Sequence, residues 1–159
     1  MPGLWHSVVM TQGPQTRPSD SSRAVQLART GEGRYQVTNR RGGVLPIGRG
    51  DDPDFSPTEL LLAAIAGCSA IDVDLITGKR AQAVRLAVHA SGEKIRDAQG
   101  NRLTGLRLVF DVEFPEGEAG DAARGVLPDA IAKSRDRLCT VSRTVAVGTP
   151  VEMLQQVPG

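Results

Sequence analysis

The order of hydrophobic periodicities along the chain predicts an α+β domain whose helices are segregated from antiparallel sheet. Two observations carry this. Short alternating runs separated by turn residues flank one long apolar segment, LLLAAIAGCSAIDVDLI, and a second helical pattern follows the later runs. The 159 residues are 40% hydrophobic, 23% charged and 3% aromatic, enough for one soluble domain that builds a core without disulfides or metal. With 19 Lys and Arg against 18 Asp and Glu, there is no broad field to draw in nucleic acid or an anionic membrane, and neither is an expected partner.

Residues 1–22 carry Pro2, Pro14 and Pro18 without a sustained period and read as a flexible arm, leaving 23–159 as the domain. Val25 to Arg29, Tyr35 to Thr38 and Val44 to Ile47 are β-like runs split by Gly31, Gly33, Gly42 and Gly43, the pattern of an antiparallel meander. GRGDDPDFSP has no period and is a loop. Ser56, Pro57 and Glu59 then form a capping box with proline at the first helical position, which predicts a helix from Pro57 to Thr77, stopped by Gly78. Its first three turns are apolar on nearly every side, so this helix must be buried all round or face another subunit. Its most apolar stretch, Leu60 to Ala70, is about half the roughly 20 residues of a membrane span, so no span is expected. The first residues lack a basic leader before an apolar run, and the expected address is the cytoplasm.

Alternation returns at Val84, Leu86 and Val88 and again in LTGLRLVFDVEFP, with a turn at Gly100 and Asn101 between the two strands. Gly120 to Leu138 is a second helical region, its main helix opened by Pro128. CTVSRT is a helical turn or loop, and VAVGTPVEML reads as a last strand.

The chemistry-bearing residues are few. Cys68 lies in the apolar helix and Cys139 ends the second helical region, neither in a CxxC, while His6 and His89 stand apart. No zinc pattern and no phosphate-binding loop is present, so neither a metal nor a bound cofactor is expected. By spacing alone both cysteines are small buried hydrophobes, inert because burial raises a thiol pKa.

A more specific signal lies in the strings SPTELLLAAIAGCSAIDV and LCTVSRTV, which resemble the OsmC/Ohr family of thiol-dependent peroxidases. Pro57 stands eleven positions before Cys68, as in that family, and the element order agrees from Val25 to Glu152. The resemblance implies an intertwined homodimer, its antiparallel sheets wrapped around long central helices, with sites at the interface. It also implies roles. Cys68 would reduce an organic hydroperoxide and become a sulfenic acid, Cys139 would condense with it to a disulfide, and an external dithiol, lipoyl-linked as in the hydroperoxide-resistance branch, would reset the pair. An arginine from the N-terminal meander, Arg34 or Arg29, would hold the Cys68 thiolate, with Arg143 a weaker candidate. Ser142 is expected to bond backbone.

The pattern departs from the peroxidase branch at two places. Thr58 stands where those enzymes carry a glutamate and Glu59 follows one residue later, so a catalytic Glu59 competes with its capping role; CTVS replaces their proline and aromatic, as in a less characterised OsmC-like subgroup. The rival function is a noncatalytic OsmC-like protein that binds a small apolar or thiol ligand at the dimer interface.

Overall fold

The structure, a computed structural model, describes residues 21–156; nearly all of the expected N-terminal arm lies outside them. The chain divides between Pro46 and Ile47 into two units. In the first, β1 (Val25–Gly31), β2 (Arg34–Asn39) and β3 (Val44–Ile47) form a sheet in that order, with β1 and β2 antiparallel. The expected meander is present. Its second turn depends on Asn39, whose Oδ1 accepts from the N–H groups of Arg41 at 2.9 Å and Gly43 at 3.0 Å, while Gly42 takes φ 85°, a conformation open mainly to glycine.

The second unit is organised by α1 (Pro57–Thr77), which has the predicted bounds and the predicted capping box. Ser56 Oγ accepts from the Glu59 N–H at 3.4 Å, and the Ser56 N–H donates to Glu59 Oε2 at 2.8 Å. Around the helix, exposure changes by ridges of residues four apart. Ile65, Ser69, Val73 and Thr77 are buried; Cys68, Asp72 and Ile76 are half-buried; Gly67, Ile71 and Leu75 are exposed. Among the described residues, then, the helix is covered on one side only. By length and composition alone it is also long and apolar enough to cross a membrane, because the apolar run continues past Ala70 through Ile71, Val73, Leu75 and Ile76.

β4 (Arg85–Asp97) and β5 (Gly100–Glu113) form a long antiparallel hairpin, and α1 packs against β4. The turn sits at Ala98 and Gln99, slightly before its expected place, because Gly100 at φ 100° already begins the return strand. α2 (Glu118–Lys133) follows and packs on α1. Pro128 lies inside this helix and does not open it. Gly117 at φ 98° precedes the first turn, and Gly120 is essential there, since a Cβ at that position would collide with the Pro115 carbonyl. The proline removes one backbone donor without ending the helix.

A π turn (Ser134–Leu138) and the short helix α3 (Thr140–Ala146) complete the unit. The buried residues run Gly120, Ala123 and Ala130 in α2 and then Ser134, and a regular helix would bury Leu138 next. Instead the Cys139 N–H donates to the Ser134 carbonyl at 2.9 Å, a bond spanning five residues. Leu138 is left 49% exposed and Cys139 is 0% exposed. The expected last strand is also corrected. Its beginning is the end of α3, and 149–156 has no strand partner among the described residues, so its alternating pattern has no ladder to join.

Ser56→Ala should lower stability by about 1 kcal/mol, read as a shifted urea midpoint at constant slope. The hydrogen bond from the Ser56 hydroxyl, followed by that from its N–H, holds the Glu59 carboxyl below its usual range. This contribution is present above the ordinary glutamate pKa of about 4.3 and fades as pH falls through the lowered value, so Ser56→Ala should flatten the acid limb of the stability curve.

Candidate active site

The two cysteines come from distant parts of the chain and meet where the π turn delivers Cys139 against α1. Cys68, Asp72 and Cys139 place two sulfurs and a carboxylate oxygen within 4.8 Å of one another. Asp72 is one helical turn beyond Cys68 on the same half-buried ridge. Ser134, at the start of the π turn and 1% exposed, donates its hydroxyl to Asp72 Oδ2 at 2.9 Å. Both cysteines are free thiols.

The first turn of α3 surrounds them with donors. Cys139 is its N-cap, and its Sγ accepts from the Ser142 N–H at 3.3 Å. The Ser142 hydroxyl donates to the Cys139 carbonyl at 3.3 Å, the backbone-bonding role expected for it. These contacts divide the pair electrostatically. Burial pushes the Cys68 thiol above its ordinary value; the N–H groups of Val141 and Thr140 oppose this, and its bond to Cys139 adds to it. Burial pulls Cys139 the same way, but hydrogen bonds from Ser142, Ser69 and Cys68 outweigh it and bring that thiol below its ordinary value. Negative charge on the pair is therefore better accommodated on the Cys139 sulfur than on that of Cys68.

Beside the pair lies a cavity of about 430 Å³, walled by Leu62 and Ile65 of α1, Leu106 and Phe110 of β5, and Ile131 and Val145. Ser69, Ser134 and Ser142, the residues that bond the thiols and Asp72, also line it. The cavity thus adjoins the sulfur centre. Leu61, next to Leu62 in α1, is half-buried outside this lining, and Phe55, 54% exposed, bridges to Ile47.

Arg29 and Arg34 are exposed residues of the first unit, Arg29 donating to the Gly31 carbonyl at 3.1 Å. Glu59 accepts from the Ser56 hydroxyl at 2.7 Å as part of the cap, and nine helical residues set it roughly 13.5 Å along the axis from Cys68. Arg143 lies in α3, its N–H bonded to the Cys139 carbonyl at 3.0 Å. Two thiols and one carboxylate offer soft-metal donors, one short of the four that close a structural zinc site. Asp72, Ser69 and Ser134 were not singled out from the sequence. An acidic residue four places after a cysteine in an otherwise apolar helix was the available signal.

The fold and site define the class of protein as an α+β unit whose longest helix carries one of two adjoining free thiols. Residues 49–153 match the family of OsmC-like proteins, and the chain belongs to that family. An uncharacterized protein of Mycobacterium bovis is 32% identical over 129 residues, which cover 80% of this chain and 91% of that one. An OsmC-like protein of unknown function from Vibrio cholerae has the same fold, with a TM-score of 0.66 and 13% identity over 78% of this chain and 93% of its own. A hypothetical protein from Aquifex aeolicus gives a TM-score of 0.64 at 21% identity, covering 80% and 89%.

Because burial raises the Cys68 thiol, its alkylation by an uncharged thiol reagent should still be rising steeply with pH at about 8.5, the ordinary thiol value. Site-resolved mass spectrometry across a pH series checks this, with Cys139→Ser isolating Cys68.

Proposed function

We propose that this protein is a thiol-dependent peroxidase that reduces organic hydroperoxides in the cytoplasm, using Cys68 and Cys139. The observation that carries the reading is the approach of the two sulfurs to within 4.8 Å beside an apolar cavity. A disulfide needs the sulfurs at about 2.0 Å, so a small local movement joins them.

In this reading the Cys68 thiolate attacks the peroxide O–O bond, the alcohol leaves, and the resulting sulfenic acid condenses with Cys139 with loss of water. An external dithiol then reduces the disulfide. The apolar walls of the cavity favour an organic hydroperoxide over hydrogen peroxide. Burial raises the Cys68 thiol, so in this reading a cation assists the first step, and the role is assigned to Arg34 or Arg29 of the N-terminal meander. Guanidinium remains charged in an apolar site where lysine can lose its proton.

The working form in this proposal is an intertwined homodimer. Ile71, 61% exposed, and Leu75, 66% exposed, lie on an exposed helix ridge, and the part of VAVGTPVEML beyond α3 has no strand partner among the described residues. A second copy supplies both needs.

The same raised thiol favours a second reading, in which Cys68 is unreactive and the cavity of this OsmC-like protein binds a small apolar or thiol ligand. One experiment separates the two. One equivalent of cumene hydroperoxide should convert the reduced protein to the Cys68–Cys139 disulfide, seen by mass spectrometry, and Cys139→Ser should leave a sulfenic acid that dimedone traps on Cys68. Reduced protein left unchanged by the peroxide supports the binder. Arg34→Ala should slow sulfenate formation while leaving the dimer intact by light scattering, and Arg34→Lys should recover part of the rate; unchanged kinetics transfer the role to Arg29.

A further inference from the structure

We infer that Asp72 moves the proton in the second step, taking it from the Cys139 thiol and giving it to the hydroxide that leaves Cys68; the inference rests on the peroxidase reading above. Its geometry belongs to that step. The carboxylate lies within 4.8 Å of both sulfurs, near enough to act directly after a small movement or through one water. It is held in place, because Ser134, nearly fully buried, donates to one of its oxygens at 2.9 Å. Asp72 forms no ion pair with lysine or arginine among the described residues.

The step balances within the site. The Cys139 sulfur attacks the Cys68 sulfur, the S–S bond forms, and the S–O bond of the sulfenic acid breaks. The Cys139 sulfur is oxidised and the Cys68 sulfur reduced. The thiol proton passes to Asp72 and on to the departing hydroxide, which leaves as water with the carboxylate restored. When the pair has already lost a proton, with the thiolate on Cys139, Asp72 enters the step protonated from solvent and gives that proton to the leaving hydroxide, which again leaves as water.

The same charge acts against the first step. A carboxylate beside Cys68 disfavours its thiolate, so Asp72 cannot be the activator of peroxide attack. Its effects on the two steps have opposite signs, a signature that a merely structural residue does not produce.

Asp72→Asn tests this, because the carboxamide keeps an acceptor oxygen for Ser134 while losing the base. In rapid mixing with cumene hydroperoxide, sulfenate formation, followed by quenching with dimedone, should be unchanged or faster than in the natural protein. Disulfide formation should be slower by about 100-fold or more, the ordinary size of general acid–base catalysis. Its rate should also acquire a new pH dependence, through ionisation of Cys139 and protonation of the leaving group without Asp72. Disulfide formation at the natural rate, or slowed with an unaltered pH profile, overturns the inference and leaves the peroxidase reading standing. Natural protein that forms no sulfenate overturns the peroxidase reading itself. If circular dichroism shows that Asp72→Asn does not fold, Ser134→Ala decides: it leaves the carboxylate but frees it, so slower condensation with an unaltered first step supports the inference, and equal rates in both steps overturn it.

Discussion

The contact between α1 and the π turn sets the position of every group in the second unit that bears chemistry. A regular continuation of α2 would turn Leu138 inward and leave the cysteine on the outside. The five-residue bond from Cys139 to Ser134 shifts the buried position by one, so a thiol, and not an isobutyl group, packs against α1. Ser134 is used twice at this joint: its carbonyl closes the wide turn and its hydroxyl holds Asp72. Backbone geometry and side-chain placement are thereby tied to one residue, which explains a buried serine where packing alone would favour alanine.

Two thiols this close form one electrostatic unit. Removing the first proton is assisted by the donors at the start of α3 and by the hydrogen bond between the sulfurs, and that assistance falls mainly on Cys139. Removing the second would set two negative charges side by side in a partly dry site, with Asp72 as a third. A nucleophilic Cys68 thus requires positive charge from outside this cluster. For the peroxidase reaction proposed above, the division of labour is a cation for peroxide attack and an anion for proton transfer during condensation.

The α1 boundaries were legible because capping box, proline and apolar run all agree on one helix, and local signals decide where helices start. The meander and hairpin were legible for the same reason, their glycines marking turns at positive φ. Pro128 misled because proline at a helix start and proline tolerated inside a helix look alike in sequence, and only the backbone around Gly117 to Gly120 decides between them. The last segment misled because alternation shows which faces a strand would have without showing whether a neighbour exists. At the site, both cysteines were visible through motif. Asp72, Ser69 and Ser134 were hidden, since their roles depend on a π turn that inserts no distinctive residue.

The graded exposure of α1 joins assembly to chemistry. The buried ridge through Ile65, Ser69 and Val73 faces the chain's own core, and the ridge through Gly67, Ile71 and Leu75 is open. Cys68 and Asp72 occupy the ridge between them, at the border of the covered surface. A partner that covers the open ridge removes water from this border, strengthening every charge interaction there and pushing an unassisted Cys68 further toward its thiol form. Association without a cation would therefore suppress the chemistry that the thiol pair makes available. Association that also brings an arginine to the border would release it, because the drier site that penalises an isolated thiolate also strengthens its attraction to a guanidinium.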